Sequence, residues 1–482
     1  MDFKSRELAY LTCFTTGFAI LVLELISFRL LAPYFGTSIY VSGIIINTVL
    51  LALAAGYFAG GYVVDRLKSE KLPYLVILGS CIYLIVIFSV YPLLLNMISF
   101  RSVIIGSSIA IVAMFFVPTA LLAFIPPYLI KLLLIKRMVG KASGEIFSLS
   151  TLGSIAGGIM TTFIFIPYLG SRTSFLIAIG LLLVISTIGL IKFNKGSLFL
   201  ILAFLILLLP PEKTTGYVYK TESEYNIIKV VEEGGRLQLR LNHDYSYHSI
   251  TLDPETHLSN AYYDYYLFPQ MLINAEETLI LGNGAGTSMM ETDYFFDTNI
   301  DGVEIDPMVT EVGNAYFGLR LNEGLSIFHQ DARVFLNQNK KKYDIVYIDV
   351  YSGEPHVPFH IATVEFFELV NRSLNDDGIV AINVPYYSPN TELSEYYTNT
   401  ITTVFPNSYV FEKKHMLYSF KADIDKEAMS KIIEGKILHA NLEAIAKEVL
   451  AEIKEISQES SEKVFSDDHA PVEVMTFKSF GR

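Results

Sequence analysis

The chain has 482 residues, too many for one ordinary domain, and its 36 Lys and Arg against 49 Asp and Glu leave a net charge of −13. Two cysteines, Cys13 and Cys81, both lie inside apolar segments. That excludes a disulfide framework or a cysteine metal cluster and fits two small buried hydrophobes; no metal is expected.

Charge divides the chain at Pro210-Pro211. Residues 1–210 carry 14 Lys and Arg against 6 Asp and Glu, a net +8, whereas the remainder carries 22 against 43, a net −21. An acidic C-terminal part without a basic stripe argues against nucleic acid as a partner. It would be held off anionic lipid headgroups and would attract cationic solutes.

Residues 1–210 read as a transmembrane helical domain. Apolar stretches near 8–31, 40–63, 73–96, 102–134, 146–169, 172–191 and 196–210 predict about seven spans across some 30 Å of hydrocarbon. The first stretch lacks a small-residue cleavage site and leads directly into further spans, so it is expected to stay in the protein. The fourth is interrupted by Pro118 and Pro126-Pro127; its end, with Lys131 and Lys136, is expected at the interface or as part of a re-entrant pair. Positive charge alternates between connections and puts the N-terminus in the cytoplasm. Seven crossings would then leave the acidic part outside, away from a cytosolic nucleoside cofactor. We therefore expect the short seventh or the broken fourth stretch not to cross, giving a multi-pass cell-membrane protein with a cytoplasmic C-terminal part. Glu24 and Arg29 on the first helix are intramembrane ionisable residues. Gly56, Gly60, Gly153 and Gly157 suit close helix packing.

A small β region spans 211–270. YNIIKVVEE, the Gly234-Gly235 turn and RLQLRLN alternate with period two and predict a β-hairpin. The tyrosine-rich AYYDYYLFPQMLIN follows as a helix over the first strand of the next domain. Residues 271–482 then alternate strand and helix: TLILGN, 287–296, IDGVEID, 307–317, LSIFHQD, 332–339, YDIVYIDV, 363–374, GIVAINV. This pattern predicts an α/β Rossmann-like domain with a parallel sheet covered on both faces.

Ligands of open α/β sheets sit at the carboxyl ends of the strands, and four such ends carry suitable groups. Gly282, Gly284 and Gly286 let the backbone pass close to a ligand at the start of a helix. Glu304 is placed to accept both hydroxyls of a ribose, Asp331 to accept from an adenine amino group, and Asp349 to face the reacting centre. Each acid alone would serve equally as a strand-end cap; three of them after the glycine turn, in sequence order, point to an adenosine-bearing ligand.

With those residues in view, the chain resembles the spermidine synthase (polyamine aminopropyltransferase) family, specifically its membrane-fused multi-pass members. The resemblance is carried by APYFGTSIYVSG, AAGYFAGGYVVDR and LSTLGSIAGGIMTTFIFIPYLGSR in the first part. In the second it is carried by SEYNIIKVVEE, LILGNGAG, VEID, HQDAR, YDIVYID, PFHIATVEFF and SDDHAPVEV. It implies transfer of an aminopropyl group from decarboxylated S-adenosylmethionine to a polyamine such as putrescine, releasing methylthioadenosine. It also implies Asp349 as general base, flanked by Tyr347 and Tyr351, with Asp331 and Ala332 at the adenine and a homodimer formed through the soluble part. Two positions depart from the family pattern: Ala285 and Ser352 stand where catalytic members carry aspartates that hold the ammonium groups. Asp264, Glu354, Asp467 and Asp468 are the acids available to replace them. His248, His356 and His360 border the same cleft, and His360 is the histidine we assign to the amine substrate, with Tyr351, Ser352 and Asp264. The departures keep two alternatives open. One is an S-adenosylmethionine-dependent methyltransferase acting on a membrane-associated acceptor; the other is a non-catalytic ligand-sensing or transport protein.

Overall fold

The computed structural model describes residues 3–36, 38–98, 103–133, 139–191, 193, 216–242, 244, 246–351, 357–384, 391–456 and 462–479. The chain forms two compact units, Met1–Lys213 and Thr214–Arg482.

In the first unit five helical runs among the described residues are long and apolar enough to cross a membrane: Arg6–Phe35, Ile39–Arg66, Leu72–Ile98, Ile104–Leu133 and Val139–Leu190. The last run has 52 residues, roughly 78 Å at about 1.5 Å per residue and far more than one crossing needs. It is broken at Gly170, whose φ of 73° and ψ of 168° lie outside the helical region. The expected fifth and sixth stretches are thus its two arms. The seventh, 196–210, lies outside the described residues.

The proline-interrupted fourth run does not fold back on itself. Gly56 lies against the carbonyl of Ala120 and Gly60 against that of Phe124, so Ile104–Leu133 runs alongside Ile39–Arg66 in the same direction. Pro118 falls just after a π-turn at Val112–Phe116 and Pro126 in the first turn after a break at Phe124, places where a missing N–H costs little. Lys131 meets Asp65 at 2.9 Å where both helices end. The first helix packs against Val139–Met160, where Gly153 and Gly157 lie on the carbonyls of Phe14 and Phe18. Any larger side chain there would push the helices apart. Ser154 Oγ donates to the Gly17 carbonyl at 3.0 Å, and the Tyr10 hydroxyl donates to Glu145 in the same seam.

The second unit opens with a four-stranded antiparallel sheet, β1 (Tyr219–Glu222), β2 (Ile227–Glu233), β3 (Arg236–Leu241) and β4 (Ser249–Ile250). An eight-stranded sheet follows: β5 (Glu277–Leu281), β6 (Asn299–Val303), β7 (Leu325–Phe328), β8 (Tyr343–Ile348), β9 (Leu374–Asn383), β10 (Asn407–Phe411), β11 (Met416–Phe420) and β12 (Lys454–Ile456). Its order is β12-β10-β11-β9-β8-β5-β6-β7. Strands β5 to β9 are mutually parallel. The β10–β11 hairpin and β12 extend that parallel core antiparallel. The central parallel strands β5 and β8 are buried along nearly their whole length because both faces are covered. Phe335, Phe366, Phe367 and Ile401 cover one face, and Phe268, Met289, Met429 and Val449 the other. The order reverses between β5 and β8, so the carboxyl ends of these two strands open a crevice at the switch point.

Candidate active site

The glycine turn sits at this reversal. Gly282 and Asn283 donate to the Val303 carbonyl at the end of β6, 2.9 and 3.1 Å, and Asp349 N–H donates to Leu281 at the end of β5, 2.9 Å. Gly282 has a φ of +83°, and a Cβ there would overlap the carbonyl oxygen of Asp349. Only glycine lets the two strand ends come this close. The turn leads into the helix Thr287–Phe295.

Glu304, at the tip of β6, is 9% exposed. Its Oε2 accepts from Gly284 N–H at 2.8 Å and its Oε1 from Asp306 N–H at 3.0 Å. Burial pushes its carboxyl up to about 7, against the opposing pull of those two N–H groups. Each oxygen keeps one lone pair, which suits the two vicinal hydroxyls of a ribose. Asp306 is fully buried and takes Ser223 and Asn226 of the small sheet, fastening it beside the turn.

Asp331 follows β7 and caps the helix Ala332–Gln338, its Oδ1 accepting from Arg333 and Val334 N–H at 2.9 and 3.0 Å. Its Oδ2 accepts from His360 Nε2 at 3.2 Å. The His360 contact, with the capping N–H groups, holds the Asp331 carboxyl below the usual carboxylate range. Ala332, the first residue of that helix, is buried.

Asp349 ends β8 and is fixed from two sides. The Tyr262 hydroxyl donates to Oδ2 at 2.8 Å and Asn383 Nδ2 to Oδ1 at 3.0 Å. Burial, then the Asp349 charge, push the Tyr262 phenol well above its usual range, so it remains a donor. Tyr266 donates to the Ile348 carbonyl and accepts from Asn383 N–H, and Tyr351 donates to the Asn383 carbonyl. Asn383 was not singled out in the sequence. It ends β9, the next parallel strand, and carrying the strand-end rule one strand further would have found it. Ser249, whose Oγ accepts from Ala285 N–H at 2.9 Å, carried no such signal. Asn283 is buried in the turn, and among the described residues its side-chain amide has no hydrogen-bond partner.

Other expectations fare differently. Tyr347 is fully buried and meets the Tyr266 ring at a tilt, centroids 4.9 Å apart, so it belongs to the core and does not flank Asp349. Asp264 is turned inward, 6% exposed, bound to Ser259 N–H at 2.8 Å beside the fully buried Glu291. It is therefore not a free acid for an amine: on the short helix of Tyr262, alternate side chains face opposite ways. Asp467 pairs with Arg333. Ser352, Glu354 and His356 lie outside the described residues.

A spermine/spermidine synthase domain matches residues 266–413. A probable polyamine aminopropyl transferase of Bifidobacterium longum is 29% identical over 282 residues, which cover 54% of this chain and 62% of that protein. Polyamine aminopropyltransferase 2 of Aquifex aeolicus is 26% identical over 395 residues, 77% of each chain. An N-terminal histidine N-methyltransferase of Emericella nidulans is 34% identical over 145 residues, 28% of this chain and 24% of that protein. The chain thus spans under two thirds of the first of these relatives. The second unit thus carries a match to the spermine/spermidine synthase domain, and the chain is similar to curated polyamine aminopropyltransferases over half to three quarters of its length.

Proposed function

We propose that this protein is a membrane-bound aminopropyltransferase that moves the aminopropyl group of decarboxylated S-adenosylmethionine to a polyamine such as putrescine. The observation that carries the reading is the row of acids at neighbouring strand tips: Glu304 for ribose, Asp331 for adenine, and Asp349 braced by Tyr262 and Asn383. The neutral amine nitrogen attacks the carbon bound to the sulfonium, the new C–N bond forms as the C–S bond breaks, and the electron pair leaves with sulfur as neutral methylthioadenosine. A sulfonium needs no acid to leave, so the protein's work is alignment and proton removal. Asp349 takes the proton shed by the new ammonium. The hydrogen bonds from Tyr262 and Asn383 fix the orientation of that carboxylate.

A specific observation favours a second reading. Ala285 is fully buried against Ile228 and Val309 and offers no charge to an aminopropyl ammonium. Each lost charged hydrogen bond is worth about 1.5–3 kcal/mol. Methyl transfer from intact S-adenosylmethionine to a membrane-associated acceptor needs neither lost acid, and the Emericella nidulans relative is named a methyltransferase. Product analysis decides: methylthioadenosine supports aminopropyl transfer, S-adenosylhomocysteine supports methyl transfer, and neither product refutes both. We infer further that the N-terminus and the catalytic unit share the cytoplasm. Six helical arms from an inside start return the chain to its first side, provided 196–210 does not cross.

A further inference from the structure

The Asp331 carboxylate has little acceptor capacity left. Its Oδ1 spends both lone pairs on the N–H groups of Arg333 and Val334, and its Oδ2 spends one on His360 Nε2. One lone pair remains. His360 is itself braced. Arg333 Nη1 donates to the His360 carbonyl at 2.7 Å and to Asp467 Oδ1 at 2.7 Å, with Nη2 on Asp467 Oδ2. Asp467 Oδ1 also accepts from Thr363 at 2.8 Å, and its N–H donates to Glu365 at 3.0 Å. The Phe359 ring stands edge-on to the imidazole at 5.5 Å. Thus the PFHIATVEFF segment and the SDDHAPVEV tail, remote in sequence, are joined on the one acid assigned to the purine.

We propose that His360 is a specificity-determining positioning residue: held by Arg333 and Asp467, it fixes the Asp331 carboxylate so that one remaining acceptor is presented to a purine 6-amino group. Such a site selects 6-amino over 6-oxo nucleosides, because a 6-oxo group has no N–H to give and sets two acceptors against each other. A carboxylate held only by its cap can swing its second oxygen to solvent and loses that discrimination. The inference rests on reading the site as a nucleoside site and adds who sets its base preference.

The test is calorimetric titration of the full-length protein in detergent with methylthioadenosine and with its 6-oxo analogue, methylthioinosine. The wild type should prefer the amino nucleoside by about tenfold or more, His360→Ala should cut that ratio at least about fivefold, and His360→Gln, which keeps an N–H donor, should restore most of it. Asp331→Asn should remove the preference. If His360→Ala weakens both nucleosides equally or leaves the ratio unchanged while Asp331→Asn removes it, His360 has only a structural role and the proposal is overturned. If the wild type binds neither nucleoside, or Asp331→Asn also leaves the ratio intact, the nucleoside reading of the site itself fails.

Discussion

Glu304 provides the sharpest test of where a ribose binds, because its two tasks pull its ionisation in opposite directions. In the empty protein, burial holds its carboxyl at about 7. Ribose hydroxyls donate to the ionised form, so binding must first remove the proton below that pH. A single titration at about 7 leaves the group about 90% protonated at pH 6 and about 90% ionised at pH 8. Nucleoside affinity should therefore rise roughly tenfold, about 1.4 kcal/mol, between those two values. Stability of the empty protein moves the other way. The folded value lies above the ordinary glutamate value of 4.5, so the contribution of the protonated acid is complete below about 4.5 and is lost as pH rises through about 7, up to about 3 kcal/mol in all. Titration calorimetry with methylthioadenosine at several pH values reads the first effect and thermal unfolding of the empty protein the second. In Glu304→Gln the pH dependence of affinity should vanish together with most of the binding. A wild-type affinity flat across this range, or a Gln variant as pH-sensitive as the wild type, would refute the ribose assignment.

Three further outcomes are expected. Asp349→Asn should abolish transfer while leaving methylthioadenosine affinity within about twofold, since the base acts on the acceptor; steady-state rates and calorimetry separate the two. Tyr262→Phe removes one charged hydrogen bond to Asp349 and should slow transfer by about 1.5–3 kcal/mol, roughly 10- to 150-fold in kcat, with nucleoside affinity again unchanged. Gly282→Ala forces a side chain at a φ of +83° into the Asp349 carbonyl and should lower stability by more than about 2 kcal/mol, seen as a fall in Tm.

The α/β architecture was legible because its signals are local and repeated. Near-continuous apolar runs such as TLIL and YDIVYI, each ending at a glycine or an acid, fix both strand identity and chain direction, and parallel strands with covering helices follow from them. The antiparallel end of the sheet was not legible. Asn407–Phe411 and Met416–Phe420 are as apolar as the strands before them, and only the tight turn through His415, at a φ of 57°, reverses them. Hydropathy divides 146–191 into stretches ending at 169 and starting at 172, and the helix breaks between them at Gly170, whose backbone angles leave the helical region.

Within the site, the sequence reveals which strands end in acids but not which way each side chain turns. Asp264 and Tyr262 lie two residues apart, yet one is directed to Asp349 and the other into a pair with Glu291, where both carboxyls approach the Ser259 N–H at 2.8 and 2.5 Å. Burial, then the nearby Asp264, push the Glu291 carboxyl well above the usual carboxylate range. Such a pair needs a donor more than it needs a charge. Glu291→Gln, which keeps a donor of the same length, should therefore cost less than about 1 kcal/mol, whereas Glu291→Leu should cost more than about 2 kcal/mol by leaving buried polar groups unpaired. Thermal unfolding of both variants near neutral pH gives the comparison. Equal losses would mean that Glu291 serves through packing alone and not as a donor.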